Sequence, residues 1–249
     1  MFGETGAGKS AVINLIAGTE IAETSPDAES CTLKATKYTL ALSGEHPHMS
    51  FNIWDTIGLE EPDSEDPLKA IANAYRLITD LHAAGGVDLL LFCIRAGRIT
   101  VAMQRHYRLF SQILCESCVQ LVIVVTHLEN EEVMEDWWVR NQETLTEYGM
   151  SSIAHACITS VPPHLVVYAP KRAASRTILE DMLRETLSGL HGGYRQDVER
   201  WLARLTRMLW AFFARPFRKW ELMARLQSQC TLGREEARRI ADMILATRR

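Results

Sequence analysis

The chain has 249 residues, 47% apolar and 23% charged, with 14 glycines and 8 prolines, near-average values that exclude disordered, collagen-like and mucin-like classes. Net charge is −4, but from His191 onward thirteen Arg and Lys face six Asp and Glu, a local +7 that leaves −11 for the first 190 residues. This asymmetry predicts an acidic domain over residues 1–190 and a basic tail over 191–249.

Phe2 leads directly into a Gly-rich loop, after which Ala11–Ala17 reads as a helix. Polar residues from Glu20 to Ser30 form a loop containing Pro26. Strands are expected around Leu33–Leu42 and His48–Asp55, joined by the turn Ser43-Gly44-Glu45 as a hairpin. A helix from about Leu68 to Ala83 stops at Gly85-Gly86. Val87–Ile94 and Gln120–Val125 are continuous apolar runs, the pattern of strands buried on both faces. Between them Ala102–Cys115 has helical spacing through Met103, Tyr107, Phe110 and Leu114. A helix over Asp136–Tyr148, a strand near Ser152–Thr159 and a helix over Ser175–Leu187 complete the domain. Alternating strands and helices predict an α/β fold with a mostly parallel sheet and one antiparallel hairpin.

Gly3-Glu4-Thr5-Gly6-Ala7-Gly8-Lys9-Ser10 fits the phosphate-loop pattern in full, a match that arises by chance in roughly one such chain per hundred. Glycines let consecutive N–H groups converge on phosphate oxygens with no Cβ in the way. The following helix, beginning with Ala11, aims its positive dipole end at the same anion. Lys9 can reach the β- and γ-phosphates, and the Ser10 hydroxyl can ligate Mg²⁺. The predicted architecture is therefore a three-layer P-loop nucleotide-binding domain.

Asp55-Thr56-Ile57-Gly58 ends an apolar strand, where Asp55 can hold Mg²⁺ through water and the Gly58 N–H can meet the γ-phosphate. Thr32, in the loop after the first helix, is the threonine that can close over Mg²⁺; Thr24 or Thr36 could substitute. Leu59 stands where Ras-like enzymes carry a water-orienting glutamine. Glu60 and Glu61 could orient water from nearby, although their acidic surroundings suit a solvated loop.

The base-reading position is Thr126-His127-Leu128-Glu129, directly after Leu121–Val125. GTPases normally place Asn or Thr, Lys, any residue and Asp there. Glu129 keeps the acceptor chemistry for the guanine N1 and N2 hydrogens, and His127 stands where a lysine stem covers the base. Thr159-Ser160, after the last strand, can supply backbone contacts to the guanine O6.

With these motifs the first 190 residues resemble the immunity-associated GTPases and the chloroplast import-receptor GTPases, both of the septin-related branch. The resemblance rests on Gly3–Ser10 with Ala11, on Asp55-Thr56-Ile57-Gly58-Leu59, and on Arg95-Ala96-Gly97-Arg98-Ile99-Thr100. It implies GTP and GDP binding with Mg²⁺, slow intrinsic hydrolysis and nucleotide-dependent homodimerisation. Two departures stand out: Glu129 replaces Asp, and only Met1 and Phe2 precede Gly3. A buried strand of about five or six residues usually runs into such a loop. The first strand is thus nearly absent, which predicts a truncated start and a phosphate loop poorly anchored on its N-terminal side.

Cys115-Glu-Ser-Cys118 has redox or zinc spacing, but no second Cys or His pair accompanies it. No run approaches the ~18 apolar residues of a spanning helix, and Met1–Ser10 does not read as a secretory signal. Cysteines placed in apolar runs suit reduced thiols and an intracellular, cytoplasmic location. In the tail, Trp201, Leu202, Leu205, Met208, Leu209, Phe212 and Phe213 share one helical face. This basic amphipathic stretch, 198–213, can lie on a membrane surface or pack on a partner helix. Further helices are expected over Leu222–Gln229 and Glu235–Thr247. Nucleic acid is a weaker partner, because basic residues alternate with large apolar ones. The function expected is a GTP- and Mg²⁺-binding switch or scaffold with slow hydrolysis. The alternatives are an ATP-binding P-loop protein and a degenerate interaction module without turnover.

Overall fold

In the computed structural model the described residues are 1–23, 35–42, 50–56, 76–115, 117–189, 219–230 and 232–246. Two compact units emerge. The first comprises Met1–Cys31, Ala35–Glu60 and Asp88–Gly192; the second comprises Thr32–Lys34, Glu61–Val87 and Gly193–Arg249.

The first unit begins with the phosphate loop and α1 (Lys9–Ala17). Gly8 enters the helix at φ 81° and Gly18 leaves it at φ 72°, the left-handed conformation that glycine adopts without a steric penalty. Val12, Ile13, Leu15 and Ile16 are fully buried. The Asn14 amide donates to Ala22 O at 2.8 Å and accepts from Ile21 N and Ala22 N, so α1 also fixes the chain that follows it.

Strands β1 (Ala35–Ala41) and β2 (Ser50–Thr56) pair antiparallel, with Tyr38 opposite Ile53, as the predicted hairpin requires. Residues 76–83 are helical (α2) and belong to the second unit. Strands β3 (Leu89–Arg95), β4 (Gln120–Thr126) and β5 (Ala154–Cys157) pair parallel in that order. Leu91 pairs with Val122, and Val124 with Ala156. Leu121 to Thr126 are all buried, the two-sided burial expected of a continuous apolar run.

Side chains alternate across this sheet and define two cores. On one face Leu91, Cys93, Val122 and Val124 pack with α1 and with Leu179, Met182 and Leu183 of α5 (Ala169–Ser188). On the other face Phe2 stacks between Phe92 and Phe110, at 4.7 and 4.3 Å between ring centroids, with Tyr107 tilted against Phe92. Tyr107 belongs to α3 (Val101–Tyr107), which continues as a wider π-helical segment over Arg108–Leu114. The three-layer α/β architecture with a parallel sheet is thus the one expected.

The sparse first strand behaves differently from the expectation. Met1 and Phe2 occupy the slot between the two sheets. Met1 N donates to Trp54 O at 2.7 Å and Met1 O accepts from Thr56 N at 3.2 Å. Phe2 N donates to Leu91 O at 2.9 Å and Phe2 O accepts from Cys93 N at 2.8 Å, a parallel bridge to Phe92. Two residues therefore tie β2 to β3, and the loop is anchored on its N-terminal side by backbone pairing and by the Phe2 stack.

The helix α4 (Asp136–Glu147) buries Trp137 and stacks Trp138 flat on His155 at 3.9 Å. The strand expected over Ser152–Thr159 is shorter, and the helix expected from Ser175 begins six residues earlier at Ala169. Pro170 in its first turn supplies the fixed φ and the absent N–H that suit a helix start. In the second unit the helices Lys219–Cys230 and Arg234–Ala246 bury Leu222, Leu226, Ala237, Ile240 and Ala241. The amphipathic stretch 198–213 lies outside the described residues.

Candidate functional site

The phosphate loop is shaped by contacts that admit no side chain at its first glycine. Gly3 sits at φ 147°, and a Cβ there would lie 2.1 Å from Cys93 O. Lys9 curls back over the loop, donating from Nζ to Gly3 O at 2.7 Å and Glu4 O at 3.1 Å, and Ala7 N closes a turn onto Glu4 O. Glu4 is held from outside the loop, because Thr100 Oγ1 donates to its Oε1 at 2.6 Å. Thr5 and Gly6 are exposed at the tip, Ala7 is buried, and Ala11 lies in the first turn of α1.

Ser10 and Asp55 meet although 45 residues separate them: Ser10 Oγ donates to Asp55 Oδ2 at 3.1 Å. Asp55 is buried, and its Oδ1 has no hydrogen-bond partner among the described residues. Burial pushes its carboxyl above the ordinary carboxylate range, against the Met1 amine, Lys9 and the Ser10 hydrogen bond. A buried carboxylate oxygen without a donor is costly. Beside a serine hydroxyl at the start of α1, it fits a hydrated cation. Thr32, Gly58, Glu60 and Glu61 lie outside the described residues.

On the other side of the loop, Thr126 at the end of β4 donates from Oγ1 to Ala7 O at 2.9 Å or Ile94 O at 3.2 Å. The same oxygen lies 2.9 Å from His127 Nδ1. A hydroxyl has one proton, so donation to a carbonyl makes the His127 Nδ1–H the donor to Thr126. His127 adopts φ 62°, and its ring edge, Thr126 and the Ser160 hydroxyl each lie 3.6 Å from where a Gly8 Cβ would stand. Three of the expected base-side residues thus converge on the phosphate loop. The fourth, Glu129, accepts from Thr159 Oγ1 through its Oε2 at 3.0 Å. Burial, together with Arg95, holds the His127 imidazole below its ordinary value, with Glu129 opposing. It is therefore neutral at pH 7.

The family model of 50S ribosome-binding GTPases matches residues 1–130, more than half of the chain. The chain belongs to this GTPase family. No curated protein matches it. Among solved structures, a point variant of Aquifex aeolicus Era bound to GDP·AlF4⁻ is similar with a TM-score of 0.52 and 15% identity, covering 83% of this chain and 65% of Era. Era in complex with MgGDPNP and nucleotides 1506–1542 of 16S ribosomal RNA gives 0.52 and 14%, covering 83% and 64%. The chain thus spans just under two thirds of the Era chains it matches, and at this identity the likeness is one of fold.

Two residues of this GTPase outside the expected set hold the loops that follow β4 and β5. Lys171 donates from Nζ to Glu129 O at 3.0 Å and also to Glu131 O. Ser175 Oγ accepts from Thr159 N at 3.0 Å. Both belong to the first turns of α5, which the sequence reading began only at Ser175. The Pro170 start signal would have placed Lys171 inside the helix. Cys115 is buried and its thiol is pushed up to about 12 by burial, which removes it from thiolate chemistry at neutral pH. Among the described residues no helix is long and apolar enough to cross a membrane, and no cluster of three or more metal-ligating side chains occurs.

Proposed function

We propose that this G domain binds GTP and GDP with Mg²⁺ and works as a nucleotide-dependent switch or scaffold that hydrolyses GTP slowly. The observation that carries this reading is the Ser10–Asp55 pair at 3.1 Å, with the second Asp55 oxygen buried and without a donor. The backbone N–H groups of Gly3 to Ala11 and the α1 N-terminus would receive the β- and γ-phosphates, with Lys9 leaving Gly3 O and Glu4 O to meet them. Ser10 would hold Mg²⁺ directly and Asp55 through water, with Thr32 completing the shell and the Gly58 N–H meeting the γ-phosphate. Bound there, Mg²⁺ would neutralise charge on the β- and γ-phosphate oxygens. His127 would cover the base, Glu129 would accept from it, and Thr126 and Ser160 would line the pocket.

Slow turnover is supported by Leu59, whose apolar side chain cannot orient the attacking water. Glu60 and Glu61, which follow it in the sequence, could do so instead. A second reading, a degenerate P-loop interaction module without turnover, is favoured by the same leucine. The septin-related resemblance further supports nucleotide-dependent homodimerisation, and residues 198–213 would contact a membrane surface or a partner helix from the cytoplasm.

Titration with fluorescent GDP, GTP and ATP analogues, with and without Mg²⁺, tests the binding. Guanine nucleotides should bind more tightly than ATP, and Mg²⁺ should strengthen GTP binding. Equal affinity for ATP and GTP would sink the guanine reading. Single-turnover hydrolysis should run near an intrinsic Ras-like rate of about 10⁻⁴–10⁻³ s⁻¹. Fast turnover independent of protein concentration would show a complete catalytic site in one copy, and no measurable turnover would favour the second reading.

A further inference from the structure

We propose that Lys171 and Ser175, one turn apart on α5, are positioning residues that set guanine specificity by holding the base side from behind. The inference rests on the reading of Glu129 as the guanine acceptor and adds what aims it. Glu129 is a glutamate, one methylene longer than the usual aspartate, so its carboxylate has an extra torsion to fix before it can accept from two base hydrogens at once. The structure supplies three restraints. Lys171 Nζ bonds the main-chain carbonyls of Glu129 and Glu131, at 3.0 Å for the first, and so fixes the backbone that carries the glutamate. Ser175, fully buried, accepts from Thr159 N at 3.0 Å while donating to Lys171 O at 2.7 Å. Thr159, also fully buried, then donates from Oγ1 to Glu129 Oε2 at 3.0 Å.

The restraints form a closed circuit: Lys171 side chain to Glu129 backbone, Glu129 carboxylate to Thr159, Thr159 backbone to Ser175, and Ser175 to the Lys171 carbonyl. One oxygen of Glu129 is committed to Thr159, which leaves Oε1 and the second lone pair of Oε2 for a ligand. Lys171 stands in the first turn of α5, where the helix dipole disfavours a cation. Its local position is therefore unfavourable, and the two carbonyls it reaches in the base loop are what compensate.

The test measures GDP, IDP and ADP affinities with Mg²⁺ by calorimetry on the full chain, for the unaltered protein, Lys171→Met, Lys171→Arg and Ser175→Ala. IDP lacks the 2-amino group, so the GDP-to-IDP ratio reports how well Glu129 is aimed. The ratio should fall about tenfold in Lys171→Met, the scale of one hydrogen bond to a charged group. IDP keeps the N1–H, so its affinity should also fall but by clearly less than that of GDP, and Lys171→Arg should restore most of the ratio. Ser175→Ala should lower the ratio in the same way and carries the test if Lys171→Met does not fold. An unchanged ratio in either variant overturns the inference, as does an equal loss for GDP and IDP, which would mark a purely structural role. If the unaltered protein binds GDP no better than ADP, the guanine reading itself fails, which is visible before any variant is made.

Discussion

Thr100 Oγ1 donates to Glu4 Oε1 at 2.6 Å while accepting from Met103 N at 3.0 Å, so one hydroxyl caps α3 and holds the phosphate loop. The loop and the helix are 96 residues apart in sequence, and this contact makes the start of α3 part of the loop's support. Thr100→Val removes the cap and the donor together. Loss of such a cap costs about 0.5–2 kcal/mol, so the urea midpoint should fall measurably, whereas Thr100→Ser should stay close to the unaltered protein. Equal midpoints for the valine and serine variants would show that the hydroxyl contributes nothing.

Asp55→Asn separates cation binding from phosphate binding. If Asp55 holds Mg²⁺ through water, GTP affinity in Mg²⁺ should fall about 10–100-fold, the usual effect of losing an outer-shell partner. In EDTA the affinity should hardly change. The same loss with and without Mg²⁺ would place the defect in the loop rather than at the cation.

Glu129→Ala addresses the base. Losing a charged acceptor costs roughly 1.5–3 kcal/mol, so GTP affinity should drop about tenfold or more while any ATP affinity stays as it was. Competition binding with both nucleotides reads this directly. A parallel loss of ATP binding would show that the variant has damaged the pocket and not its selectivity.

His127 gives the stability a pH dependence whose sign is fixed by its burial. Its folded-state pKa lies below the ordinary 6.5, so as pH falls through 6.5 the unfolded chain takes up the proton first. Stability from this group is fully present above pH 6.5 and declines until the pH passes below the folded value. His127→Gln should flatten that part of the profile when denaturation midpoints are measured from pH 8 to pH 5. Identical slopes in variant and unaltered protein would exclude His127 as the source.

The phosphate loop and α1 were legible in the sequence because their rules are local. Glycine spacing, a lysine and a serine followed by an apolar helix specify one backbone path whatever surrounds them. The strands Leu89–Arg95 and Gln120–Thr126 were legible for a similar reason, since a continuous apolar run between turn signals leaves few alternatives. Helix starts were less so: Ala169 was missed because Ala, Pro, Lys and Arg give weak apolar periodicity, and only Pro170 marks the beginning.

By itself, then, the sequence determined the glycine-rich loop with its lysine and serine and the alternation of elements. Tertiary structure alone decided how Met1 and Phe2 bridge β2 to β3, since backbone pairing across a sheet depends on neighbours more than 50 residues away. It also decided that Lys171 and Ser175 of α5 stand behind Glu129 and Thr159. A lysine or a serine has the same local signal on any exposed helix, and its partners exist only once packing has brought α5 against the end of β4. Chemistry that follows from consecutive residues is written in the chain, whereas chemistry that depends on what lies across a packed interface appears only when the layers close.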